Sequence, residues 1–196
     1  MVEKVVFRHQ IEFPTILYET IFGLIIYFNL DSFTRIQNSL HFIFFFCSFI
    51  LVIHWWLMFE AAADQFGEET RSSALNLSLN IVYLTLINYI VQFAAVFDYY
   101  KANIFLFLLL IGDILWALIW KYVKPWKTTD PLRIKEMKLE LIKIIKSDLT
   151  LVIPVIALLV VKNIISPISF VLIFAISYFL YIFITFKWKI IDLRLT

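Results

Sequence analysis

Six apolar runs leave this chain few ways to fold. About 20 apolar residues cross a bilayer as a helix, because each residue rises ~1.5 Å and the hydrocarbon is ~30 Å thick. In order, the runs are Pro14–Leu30, Leu40–Phe59, Leu75–Phe97, Ile104–Val123, Leu149–Val161 and Ser166–Phe186. The fifth is the shortest and holds Pro154. With 62% hydrophobic and only 16% charged residues, the chain is far more apolar than a soluble core requires. The expectation is an all-α, polytopic integral membrane protein. A single six-helix membrane domain fills residues 1–196.

The positions of the charges test the span count, because cytoplasmic segments collect Lys and Arg. With the N-terminus inside, only Arg35, Lys101 and Lys162 of the 17 basic residues fall on the outer side. That asymmetry supports six spans with both termini cytoplasmic. No A-x-A cleavage site follows the first run, and Glu19 interrupts what would be a signal-peptide core. The first span is expected to remain in the mature protein.

One connection is long. Asp130-Pro131 is an N-cap followed by proline at the first helical position. Beyond it Ile134, Met137, Leu141, Ile144 and Ile145 recur at helical spacing. An amphipathic cytoplasmic helix is expected at about 130–148, continuous with the fifth span or lying on the membrane surface. It serves as a topological connector, a lipid sensor or a docking helix. Ser166-Pro167 repeats the cap-and-proline signal at the start of the sixth span.

Polar groups inside the apolar runs are the candidates for chemistry, since an ionisable residue in lipid must face protein or water. Glu19 lies near the cytoplasmic start of the first span, where a helix N-terminus and interfacial water can hold a carboxylate. Asp113 lies deep in the fourth, and Asn80, Asn88 and Gln92 of the third span are its candidate partners. Asp113 reads either as a neutral acid bonded to a neighbouring helix or as part of an internal polar site. His54 reads as a packed, hydrogen-bonded group beside Trp55 and Trp56, or as a gating or proton-sensing one. Trp116, Trp120 and Trp126, with Tyr99, Tyr100 and Tyr122, read as interfacial anchors.

Other chemistries find no support. Cys47 is the only cysteine, and His9 is the only histidine besides His41 and His54, so neither a metal site nor a paired-histidine haem is expected. With three glycines and no H-E-x-x-H, G-x-S-x-G or P-loop motif, the chain is not expected to be an enzyme. A net charge of +2 does not point to nucleic acid. No cofactor is implied.

On the first span, Leu24, Phe28 and Asp31 fall at i, i+4 and i+7, and Gly23 permits close approach of a neighbour. Apolar constrictions flanked by acids are one way to build a gated cation pore. Ordinary helix packing produces the same stripe.

The run Tyr18-Glu19-Thr20-Ile21-Phe22-Gly23-Leu24-Ile25-Ile26 resembles the first helix of the lysosomal and prokaryotic potassium-leak channels, the transmembrane protein 175 family. Trp55-Trp56, Leu75-Asn76-Leu77, Trp120-Lys121-Tyr122 and the closely spaced last two spans are similar in layout. The departures are specific. Leu17-Tyr18-Glu19 stands where the family has Phe-Ser-Asp, Phe13 stands in the arginine position, and Met58 or Phe59 stands where the family has a histidine.

The resemblance implies a homotetrameric, potassium-permeable channel in the plasma membrane of a prokaryote. Leu24 and Phe28 would form the constriction and Asp31 the outer mouth. Glu19, His54, Asn76, Asn80 and Asp113 would form the network that ties the helices together. The expected partners are potassium or other monovalent cations, the lipid bilayer and further copies of the chain. The alternative is a small carrier subunit or membrane interaction scaffold with an internal polar site around Asp113.

Overall fold

The computed structural model describes residues 20–27, 30–66, 74–122 and 129–187. These residues are helical throughout, apart from short connections, and contain no strand. The described part of the first apolar run, α1, covers 20–27. A 3-10 turn at Asp31–Arg35 leads to α2 (Ser39–Phe66), α3 (Ala74–Ala95), α4 (Tyr99–Tyr122), α5 (Pro131–Val161) and α6 (Pro167–Lys187). Helices α2, α4, α5 and α6 are long and apolar enough to cross a membrane, and α3 contributes a shorter apolar stretch, Ile81–Ala95. The described residues are all-helical, with membrane-spanning character.

Local chemistry sets the helix ends. The Asp130 carboxylate accepts from the Leu132 N–H at 3.0 Å ahead of Pro131, and Ser166 Oγ accepts from the Ser169 N–H at 3.1 Å ahead of Pro167. Both caps stand where the sequence places them. Between α3 and α4 the chain turns on Phe97, whose φ of 59° is left-handed. The Phe97 N–H donates to the Ala94 carbonyl and the Asp98 N–H to that of Phe93, the paired bonds that close a helix C-terminus. Glycine is the usual residue there. Here the Phe97 ring is held against His41, Phe44 and Tyr99, contacts that offset the backbone cost.

Helices α2 to α6 close into a ring, because α2 packs against both α3 and α6 while each of the others packs against its successor. Phe44, wholly buried, meets Phe97, Tyr99, Phe170 and Phe174 inside that ring. A second cluster of Met58, Ala117, Trp120, Met137, Leu141 and Ile144 joins α2, α4 and α5. One open sequence reading is decided here and another changes. The amphipathic stripe of 130–148 belongs to the same unbroken helix as the fifth apolar run, the continuous alternative, and protein covers its Met137, Leu141 and Ile144. Trp120, read as an interfacial anchor, is buried in the same cluster.

A buried histidine staples the start of α2 to the end of α3. His41 Nε2 donates to the Ala94 carbonyl at 3.0 Å, while its Nδ1 accepts from the Gln37 N–H at 3.3 Å. The second bond fixes the tautomer, since a ring nitrogen that accepts carries no proton. Replacing His41 with Ala should cost about 2 kcal/mol by removing both hydrogen bonds, at ~1 kcal/mol each. Midpoints of thermal unfolding in mild detergent check this, and an unshifted midpoint would mean that the staple holds nothing.

Candidate functional site

The polar groups of the bundle interior share one depth. At ~1.5 Å per residue, Asp113 lies ~21 Å beyond the start of α4, Asp148 ~20 Å before the end of α5, and Tyr181 ~21 Å beyond the start of α6. His54 falls ~22 Å beyond the start of α2, and Tyr83 ~18 Å before the end of α3. Five helices therefore bring one polar side chain each to the same level. The short α3–α4 and α5–α6 connections set this register, because they align those helices at one end.

At the centre stand two acids. Asp148 is completely buried and Asp113 nearly so. Their carboxyls are in hydrogen-bonding contact, and Asp148 Oδ1 accepts from the Tyr181 hydroxyl at 3.1 Å. Tyr83 of α3 lies close to both acids. Gly112, next to Asp113, makes room for its ring: a Cβ there would lie 3.0 Å from Tyr83 Cε1. His54, also buried, packs edge-on against the Tyr181 ring at 5.3 Å between centroids. Its Nε2 is 3.3 Å from Thr185 Oγ1. That hydroxyl already donates to the Ile182 carbonyl at 2.7 Å, so in this contact it accepts from His54. The ring is hydrogen-bonded and packed, next to the acid pair rather than in it.

The other sequence candidates lie elsewhere. Asn88 and Gln92 line a groove of about 350 Å³ between α1 and α3, together with Thr85, Ile21 and Ile25. The carboxyl partner of Asp113 is Asp148. Leu24 is on the face of α1 that points away from the bundle, 48% exposed, as is Tyr27 at 69%. Nothing lies within 4 Å of a Cβ built on Gly23. Phe22, by contrast, stacks on Trp56 and is buried. Asp31 is exposed at the start of the 3-10 turn, 4.0 Å from Arg35. Glu19 and Phe28 lie outside the described residues, as do the side chains of Asn76 and Asn80.

Sequence reasoning passed over Asp148, Tyr181 and Tyr83. A signal for Asp148 existed: it continues the stripe of Leu141, Ile144 and Ile145 by one turn, so an acid falls on the buried face of the helix. For the tyrosines no local pattern distinguishes a hydroxyl facing an acid from one facing lipid.

No family model, curated protein or solved structure matches the chain. Its function therefore rests on its own geometry. Two features differ from ordinary packing, the outward face of α1 with its adjoining polar groove and the acid pair inside one protomer.

Proposed function

We propose that the chain is a homo-oligomeric cation channel, permeable to potassium, with α1 lining the axis between copies. The observation that carries this reading is the groove between α1 and α3. It sets Thr85, Asn88 and Gln92 on one side of α3, at i, i+3 and i+7, within an apolar membrane surface. The exposed Gln92 amide would be costly against acyl chains, and water or a second copy would solvate it. The outward Leu24 beside an unobstructed Gly23 supports the same reading, since small residues let neighbouring helices approach an axis closely. Leu24 and Phe28 then form the constriction, and Asp31 concentrates cations at its mouth. Tetrameric assembly and a prokaryotic plasma membrane belong to this proposal through the resemblance of the first helix to the potassium-leak channels.

Ion flux into liposomes containing the purified protein tests it, with potassium compared against sodium and a large organic cation. The expected result is potassium-driven flux that Leu24→Ala changes several-fold and Asp113→Asn largely spares. Absence of flux from folded protein under every gradient would sink the channel.

The second reading is a carrier subunit or interaction scaffold, favoured by the acid pair being complete within one protomer. In that case Asp113→Asn abolishes function and Leu24→Ala is silent.

A further inference from the structure

Two buried carboxyls in contact form a hydrogen bond only if one of them carries the hydrogen. Asp148 Oδ1 already accepts from Tyr181, while its buried Oδ2 takes no hydrogen bond from any N–H or hydroxyl of the described residues. The Tyr83 hydroxyl, buried beside the pair, is likewise unpartnered. The site thus holds an unmet acceptor and an unmet hydroxyl around two acids.

The groups that face the pair come from every packed helix: Tyr83 from α3, Tyr181 from α6, and His54 from α2 behind the Tyr181 ring. None is a counter-cation, and no lysine or arginine among the described residues acts on either carboxyl. Two carboxylates at contact distance in low dielectric, without a cation, repel too strongly to persist. Nor does a third His, Cys, Asp or Glu complete a metal set there among the described residues. A proton is the ligand that fits.

We propose that Asp113 and Asp148 form a proton-binding site joining α4 to α5 at the polar level of the bundle, with Tyr181 fixing the orientation of Asp148. Releasing the proton sets two negative charges against each other and loosens the α4–α5–α6 junction. The site is a proton-operated latch, and it stands whether or not the chain conducts ions.

Infrared spectroscopy of the full-length protein in lipid nanodiscs tests the proposal through the stretching band of protonated carboxyls, read at neutral pH as wild type minus variant. The band is expected in the wild type. It should shift in Asp113→Asn and in Asp148→Asn, be absent from the double variant and so stand whole in that difference, and stay unchanged in Asp98→Asn, a cap of α4 outside the pair. The asparagines preserve shape and offer an N–H in place of the shared hydrogen, so folded protein is expected from each.

A second readout is the unfolding equilibrium against pH. Unfolded carboxyls ionise above about pH 4, so a proton retained only in the folded state is lost on unfolding. Wild-type stability then falls as pH rises, by up to about tenfold in the unfolding equilibrium per pH unit for one proton. The double variant should lose that dependence. A wild-type band identical to that of both single variants, or an undiminished pH dependence in the double variant, would overturn the site.

Discussion

Truncating Phe44 to Ala should destabilise the protein by about 3 kcal/mol, at the lower part of the range for buried aromatic truncations. The ring is fully buried among Phe97, Tyr99, Phe170 and Phe174, and it joins α2, α4, α6 and the α3–α4 turn at one point. In a bilayer the transfer of apolar surface from water contributes little between helices, because lipid is as apolar as the core. What Phe44→Ala loses is dispersion contact, and the cavity left behind has no partner atoms to restore it. Phe44→Leu retains most of the volume and should lose less than half as much. Unfolding by a graded denaturing detergent, followed by tryptophan fluorescence, measures both. Equal and negligible losses for the two variants would mean that the ring cluster does not hold the bundle.

Replacing Asp148 with Leu should cost about 2 kcal/mol, because the buried Tyr181 hydroxyl then loses its acceptor. Part of the loss is conditional on that hydroxyl, the rest falling on Asp113. Adding Tyr181→Phe removes the stranded donor, so the double variant should be more stable than Asp148→Leu alone. The residues touch, at 3.1 Å, and contacting residues are where additivity fails. A double-mutant cycle on unfolding midpoints decides it. Strictly additive losses would show that the hydroxyl and the carboxylate do not depend on each other, and the account of the Tyr181–Asp148 bond would fall.

How much of this was legible beforehand follows from the range over which each cause acts. The Asp130-Pro131 and Ser166-Pro167 helix starts are written in consecutive residues, since a cap bonds an N–H only two or three positions on. Asp113 was legible as a problem, because a carboxylate within an apolar run demands a partner. Its partner was not. Asp148 lies 35 positions away on another helix and was read as the end of a surface segment, although the stripe it continues is covered by Ala117 and Trp120. Trp120 misled for a related reason: an aromatic at a helix end can meet headgroups or a neighbouring helix, and only the neighbour decides.

The sequence by itself determined the class of the protein and the ends of its helices. Apolar runs of bilayer length must satisfy their backbone internally, so they become helices whatever their neighbours, and caps and prolines stop or start them locally. Only the tertiary structure decided which polar groups meet. That depends on the short connections that align α3 with α4 and α5 with α6, and on the rotation of each helix about its axis. One residue of slip turns a side chain by about 100°. The ring closure of α2 on α6 sets that rotation through Phe44 and Tyr178 in the core, and with it the meeting of Asp113, Asp148 and Tyr181.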